Sequence, residues 1–270
     1  MLNPRIVPVL LLRGGGLVKT RRFGKARYLG DAINAVNIFA DKLVDEIVVI
    51  DIDATVEGRA PDAGLLRDIA SEAFMPLAYG GGVRSMAQME QLLRAGAEKI
   101  AINAAWHDTP ELVSQAAARF GSQSVVVSID YRQDRNGHAE VVTHRGRRRT
   151  GLTPLDCARR AHDAGAGEIL LQSVDRDGER SGYDLATIRQ VSGAVRAPVM
   201  ALGGAATVDD MAQAIVAGGA AAAAAGSLFV FYGRLQAVLI TAPSEAERRE
   251  ALAHAACGHG KGVPAGRIAA

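Results

Sequence analysis

MPLAYGGGVRSMAQMEQLLRAGAEKI (75–100) is followed later in the chain by a second copy of its pattern, APVMALGGAATVDDMAQAIVAGGAAA (197–222). Each copy is a short apolar run, a glycine cluster, a Ser- or Thr-capped amphipathic stretch ending in Ala-Gly, and a second apolar run. Pro76 matches Pro198, Gly81-Gly82 match Gly203-Gly204, and Ala95-Gly96 match Ala217-Gly218, all at one constant offset. At that same offset DEIVVIDID (45–53) falls on GEILLQSVD (167–175), which sets Glu46 on Glu168 and Asp53 on Asp175. Several matches at a single spacing are the mark of a chain built from two like halves.

Working outward from the repeat, short β-branched runs alternate with helix-like segments along the whole chain. Strands are expected at RIVPVLL (5–11), EIVVID (46–51), PLAYG (76–80), KIAIN (99–103), SVVVSID (124–130), EILLQSV (168–174), PVMAL (198–202) and the alanine-rich stretch near 220–225. Their continuous apolar character is that of parallel strands covered on both faces. The intervening segments, such as DAINAVNIFADKL and TPLDCARRAHDAG, open on Asp or Thr and close near Gly, as helices do. Eight such units predict an α/β fold, a (β/α)8 TIM barrel with half-barrel symmetry over 1–242; a doubly wound open sheet is the alternative. The composition turns polar and Ala/Gly-rich beyond 242, so 243–270 is expected to be a final helix and a tail disordered at its end.

Bulk properties narrow the function. The 270 residues carry a net charge of +2 and 49% hydrophobic residues. That near balance argues against nucleic acid as a partner. No apolar run is long enough to span a membrane, and MLNPRIVPVL lacks the features of a signal peptide. Two cysteines, Cys157 and Cys257, make no disulfide framework, so a cytoplasmic setting is expected. His254, Cys257 and His259 have metal-like spacing but no further ligand nearby, so no metal and no cofactor is expected.

The chemistry-bearing residues gather at the predicted strand ends. The glycine clusters at 80–82 and 203–204, with Gly226-Ser227, fit two phosphate sites on opposite sides of the barrel mouth, because glycine lets backbone amides approach an anion at a helix start. Asn103 can add a side-chain amide. Asp130 ends strand five, on the face where barrels carry catalytic groups, and is the candidate proton-transfer residue. Asp51, Asp53, Asp175 and Asp177 also lie near strand ends, and some of these must only structure loops. At the other end Arg5, Glu46, Lys99 and Glu168 start four strands and form a ring of alternating charge, either a structural closure or a gate. Lys19, with Arg21 and Arg22 behind it, sits in the first βα loop, where a mobile lid over an anionic substrate would place it. The insert DYRQDRNGHAEVVTHRGRRRTG (130–151) reads as a hairpin with a type I′ turn at Asn136-Gly137, and its RGRRR run (145–149) as a solvated arm.

Taken together, GGGV (80–83), AGAEKIAINAA (95–105), FGSQSVVVSID (120–130), AGAGEILLQSVDRDGERSGYD (164–184) and GGA (203–205) make residues 1 to about 235 resemble the cyclase subunit of imidazole glycerol phosphate synthase. The resemblance implies a (β/α)8 barrel that takes ammonia from a glutaminase subunit docked at its bottom, as a heterodimer. At the top the ammonia reacts with a bisphosphorylated ribulosyl substrate in histidine biosynthesis. It implies an ammonia gate at Arg5, Glu46, Lys99 and Glu168, and substrate contacts at Lys19 and Asp51. Phosphate contacts are implied at Gly82, Asn103, Asp177, Gly178, Gly203, Gly204, Gly226 and Ser227, and a catalytic role for Asp130. Ala104 stands where a hydroxyl residue is usual. The family's other catalytic aspartate should end strand one, yet Leu11 stands there. The half-barrel repeat makes the same point, since RIVPVLL pairs with SVVVSID and sets Leu11 opposite Asp130. With IDIDATVEGR and AAAGSLFVF, this departure resembles a divergent branch associated with surface-polysaccharide genes. There the ammonia would go to a nucleotide-activated sugar with the help of a third, amide-transferring protein. A third alternative is a non-enzymatic, ligand-binding activator of a glutaminase.

Overall fold

In a computed structural model, which describes residues 4–258, the eight apolar runs form one closed parallel sheet. The strands are Arg5–Arg13, Ile47–Asp51, Leu77–Gly80, Lys99–Ile102, Val125–Gln133, Glu168–Ser173, Val199–Leu202 and Ala222–Ala225. Each pairs in parallel with the next, and the eighth pairs with the first, Arg5 facing Ala222. A helix follows each of the first seven units on the outside of the barrel. Asp31, Ser85, Thr153 and Thr207 each accept a backbone N–H at a helix start, which is why those residues mark the boundaries in the sequence.

The two faces of the strands make two cores. The outer faces pack on the helices around Phe39, Leu66, Met89 and Ile169. The inner faces carry Val7, Val9, Leu11, Val48, Ala78, Ala101, Val126, Leu170, Met200, Ala222 and Ala224. Alanine is a weak strand former, yet Ala222–Ala225 is fully embedded. Pairing on both edges decides its conformation, and its small side chains fit the narrow lumen.

The half-barrel repeat is real in three dimensions. Gly81 (φ 108°) has no room for a side chain because a Cβ would meet the Asp51 carbonyl, and Gly203 (φ 101°) meets the equivalent Ser173 carbonyl. Leu11 pairs with Ile50 and Asp130 with Gln172, so the two are equivalent positions of the two halves.

Two local features differ from the sequence-based expectation. The first strand runs on into an antiparallel ribbon, Gly16–Lys19 with Arg27–Asp31, rather than a plain loop. The second ribbon, Val125–Gln133 with Ala139–Thr143, does not turn by a type I′ geometry, since Gly137 alone of the pair has positive φ (82°). There Asp134 decides the turn: its carboxylate accepts the Asn136 and His138 amides at 2.8 and 2.9 Å. Glu245–Ala256 returns along the barrel and fixes Arg248 on Asp45 at 2.8 Å, beside the start of the second strand. The tail from 259 onward, with His259, lies outside the described residues. No helix among the described residues is long and apolar enough to cross a membrane.

Candidate active site

The barrel bottom is closed by charge. Arg5 pairs with both Glu46 and Glu168. Lys99 does the same from the opposite side, at 2.7 and 2.8 Å. Four ion pairs therefore complete a ring from residues far apart in sequence. Glu46 and Glu168 are only 2% and 5% exposed, while Arg5 and Lys99 keep some contact with solvent. Burial draws the Arg5 pKa down, but the hydrogen bonds and charges of Glu168 and Glu46 outweigh it and raise it. Inside the ring begins the aliphatic lumen described above.

At the mouth a cavity of about 310 Å³ opens against Leu11, Asp51, Gly80–Gly82, Asn103, Ser128, Asp130 and Gln172. Asp130 is buried and, among the described residues, has no cationic partner. Its carboxylate accepts hydrogen bonds from Asn103 Nδ2 at 3.1 Å and Ser128 Oγ at 3.3 Å. Burial disfavours the ionised form and pushes its pKa up to about 7; the Asp177 charge pushes the same way, and the two hydrogen bonds pull back. A carboxyl group half protonated near neutrality can give or take a proton at little cost. The neighbouring Arg132 guanidinium is not paired with it and donates instead to the Arg22 carbonyl.

Other expected residues divide by role. Asn103 lines the cavity, but its amide is turned onto Asp130 and the Ser128 carbonyl rather than toward the glycine turn. Asp51 also lines the cavity, yet it is committed to structure: it accepts the Asp53 and Ala54 amides and pairs with Arg59 at 3.1 Å. Gly82 donates its amide to Thr55 Oγ1 at 3.2 Å.

The second glycine cradle is a separate crevice of about 10 Å³ formed by Asp177, Gly178, Gly203, Gly204, Gly226 and Ser227. Lys19 is buried there, its ammonium packed directly on Gly226 where any side chain would collide with it. No carboxylate pairs with Lys19 within ion-pair distance among the described residues. Burial lowers its pKa, and the charge of Asp177 only partly restores it. The first ribbon is held down over this crevice: Thr20 Oγ1 donates to Asp177 at 3.0 Å, the Arg22 amide donates to its carbonyl, and Arg21 and Arg22 pair with Glu179.

One expectation is corrected outright. The RGRRR run is not a solvated arm throughout, because Arg145 turns inward, lines the mouth cavity with His144 and pairs with the buried Asp53. Arg13 joins the same carboxylate at 2.5 Å. Nothing local in the sequence distinguishes Arg145 from the arginines after it; its partner lies in a different βα unit.

Residues 5–236 match the family described as "Histidine biosynthesis protein". A relative from Leptospira interrogans, named "Putative imidazole glycerol phosphate synthase subunit HisF", is 44% identical over 93% of this chain and 99% of its own length. One from Pseudomonas aeruginosa, carrying the same wording with the designation hisF2, is 42% identical over 90% of this chain and 97% of its own. One from Alkaliphilus metalliredigens, named "Imidazole glycerol phosphate synthase subunit HisF", is 42% identical over 85% of this chain and 91% of its own.

Proposed function

This chain belongs to the histidine biosynthesis protein family, and from that premise we propose that it is the cyclase subunit of an imidazole glycerol phosphate synthase. It receives ammonia from a glutaminase subunit docked at the barrel bottom and uses it at the mouth on a bisphosphorylated ribulosyl substrate. The observation that carries this reading is Asp130, a buried acid with a pKa of about 7. It stands at the far end of an aliphatic lumen whose entrance is a ring of four charges.

The residues divide the work accordingly. Arg5, Glu46, Lys99 and Glu168 form the gate through which ammonia enters, a small neutral molecule that the aliphatic lumen does not hold back. Residues 1–242 are the working barrel and 243–270 an appended segment. One phosphate is bound at the first glycine turn, where the Gly82 and Asn103 amides exchange their contacts to Thr55 and Asp130 for its oxygens. The other is bound at Asp177, Gly178, Gly203, Gly204, Gly226 and Ser227, with Lys19 closing over it and Asp51 shaping the mouth. Ammonia adds to the substrate carbonyl and water leaves. Protonated Asp130 gives its proton to that departing hydroxyl and is then ready to take one back. No cofactor is needed for this step.

The test is turnover of the ribulosyl substrate by purified protein with ammonium salts. Asp130→Asn should reduce it by roughly 10²- to 10⁴-fold while the fold is kept. Absence of turnover in the folded wild-type protein sinks the reading.

A second reading is favoured by Leu11, which lines the cavity at the position equivalent to Asp130 and cannot exchange protons. In it the barrel conducts ammonia to a nucleotide-activated sugar handled by a third, amide-transferring protein. Growth of a cyclase-deficient histidine auxotroph on this gene excludes that as the sole role.

A further inference from the structure

One buried polar side chain at the mouth takes no part in the chemistry proposed above. Gln172, near the end of the sixth strand, is 6% exposed and lines the cavity. Its carboxamide has no hydrogen-bond partner among the described residues. The other buried polar side chains on the cavity wall are engaged. Asp51 pairs with Arg59, Thr20 donates to Asp177, and Ser128 donates to Asp130, which also accepts from Asn103. A buried carboxamide without a partner is costly, and native structures rarely keep one that no ligand or water meets.

The place of Gln172 on its strand says what it meets. Side chains alternate between the two faces of a strand, so Glu168, Leu170 and Gln172 share the inward face. Glu168 belongs to the ring, Leu170 to the aliphatic lumen and Gln172 to the mouth. At this height Gln172 pairs in register with Asp130 on the fifth strand. The equivalent pair in the first half is Leu11 and Ile50, both on the cavity wall and both apolar. In this layer an acid and an amide stand side by side on one half-barrel, and their counterparts on the other half are hydrocarbon.

Ammonia carries three N–H donors and one lone pair, and only the lone pair can attack a carbonyl carbon. A group that orients it must therefore accept an N–H and give no proton. Protonated Asp130 fails on the second count, because ammonia is the stronger base and would take the proton meant for the departing hydroxyl. A carboxamide oxygen accepts a hydrogen bond and does not titrate. We infer that Gln172 is an ammonia-binding residue, whose Oε1 accepts an N–H of ammonia leaving the lumen beside Asp130 and keeps the lone pair for the substrate carbonyl. The inference rests on the reading that ammonia emerges from the lumen into this cavity. It asks nothing of the two glycine cradles, which keep the two phosphates.

Gln172→Met keeps the length of the side chain and loses the acceptor. In the intact protein the KM for free ammonia should rise roughly three- to tenfold, as for one lost neutral hydrogen bond. Saturating ammonia should restore most of kcat, and the KM for the ribulosyl substrate should stay within about twofold. An unchanged ammonia KM overturns the inference. So does an equal rise in both KM values, which is what a mere change of cavity shape produces. A second measurement needs no turnover. At fixed pH, the carbon-13 signal of a labelled Asp130 carboxyl is followed during titration with ammonium chloride and, separately, with potassium chloride. The wild type should give a saturable shift with ammonium alone, and Gln172→Met should need roughly three- to tenfold more ammonium. No ammonium-specific response in the wild type, or the same midpoint in the variant, overturns the inference. A Gln172-dependent response in protein that does not turn over the ribulosyl substrate refutes the proposed function and leaves this inference standing. Turnover with an unchanged ammonia KM does the reverse.

Discussion

The two ends of the barrel treat buried charge in opposite ways. At the bottom, four charged groups make four ion pairs with one another, and every carboxylate faces both a guanidinium and an ammonium. At the mouth, Asp130 has, among the described residues, an amide and a hydroxyl as side-chain partners, and neither brings a positive charge. Burial is similar at both ends, since Glu46 and Asp130 are each under a tenth exposed. The difference lies in pairing: the ring carboxylates face cations, and Asp130, which faces none among the described residues, is the acid whose pKa burial pushes up to about 7.

The largest way to break this comparison is to remove the lone acid. Asp130→Asn should cost roughly 10²- to 10⁴-fold in turnover, and the wild-type pH profile should show why. With Asp130 acting as the proton donor, kcat/KM at fixed free ammonia is expected to fall above about pH 7. Holding free ammonia constant matters, because ammonia itself is increasingly protonated as the pH drops. A profile flat through this region contradicts the assignment of Asp130 as the donor.

At the opposite end the expected loss is in stability rather than turnover with ammonium salts. Lys99→Met leaves Glu46 and Glu168 to share Arg5 alone, two buried carboxylates on one cation. Breaking a buried pair in this way costs roughly 3–5 kcal/mol, read as a lower urea midpoint. Turnover dependent on the glutaminase should suffer more than turnover with ammonium, because the gate is disturbed while the mouth is not.

How much of this could be read from sequence follows from what is local. The strands were legible because a buried parallel strand is continuously apolar, and the helices because Asp31, Ser85, Thr153 and Thr207 cap them locally. The ring was legible because Glu46 and Glu168 repeat between the halves and all four residues begin strands. Arg145 was not, because its meaning comes from Asp53 and Arg13, which the fold brings to it from other βα units. The direction of the Asn103 amide was hidden for the same reason: a glycine turn and an acid both lie within its reach, and only the packing chooses. Leu11 is the instructive middle case. Its identity is plain in the sequence, but its equivalence to Asp130 is fixed by the pairings Leu11–Ile50 and Asp130–Gln172.

The comparison also predicts a pH-dependent stability difference. In the unfolded chain the Asp130 carboxyl titrates near 3.9; in the fold it titrates near 7. Between those values the folded state keeps a proton the unfolded state has lost, so this group's contribution to stability falls as pH rises through the window and is flat outside it. Asparagine does not titrate. Relative to wild type, Asp130→Asn should therefore gain stability between about pH 4 and 7, on the order of 4 kcal/mol in all, and change little above or below. Paired urea titrations at several pH values isolate the term, because the other titrating groups cancel in the difference.

The smallest expected effect sharpens the contrast most directly. Ser128 Oγ donates to Asp130 and favours its ionised form, partly offsetting burial. Ser128→Ala removes that donor and leaves a methyl group on the inner face of the fifth strand, where Val126 already stands one inward position below. The Asp130 pKa should rise further, and the falling limb of the pH profile should move upward with it. The bond is long, at 3.3 Å, so the shift should be a fraction of a unit, under about 1 kcal/mol. Nuclear magnetic resonance titration of a carbon-13-labelled Asp130 carboxyl can resolve a change of that size. A downward shift would mean that the hydroxyl serves as an acceptor from the protonated acid rather than a donor to the anion. Asp130 would then be held as a neutral acid by its neighbours as well as by burial, and the difference between the two ends of the barrel would be larger than the donor geometry implies.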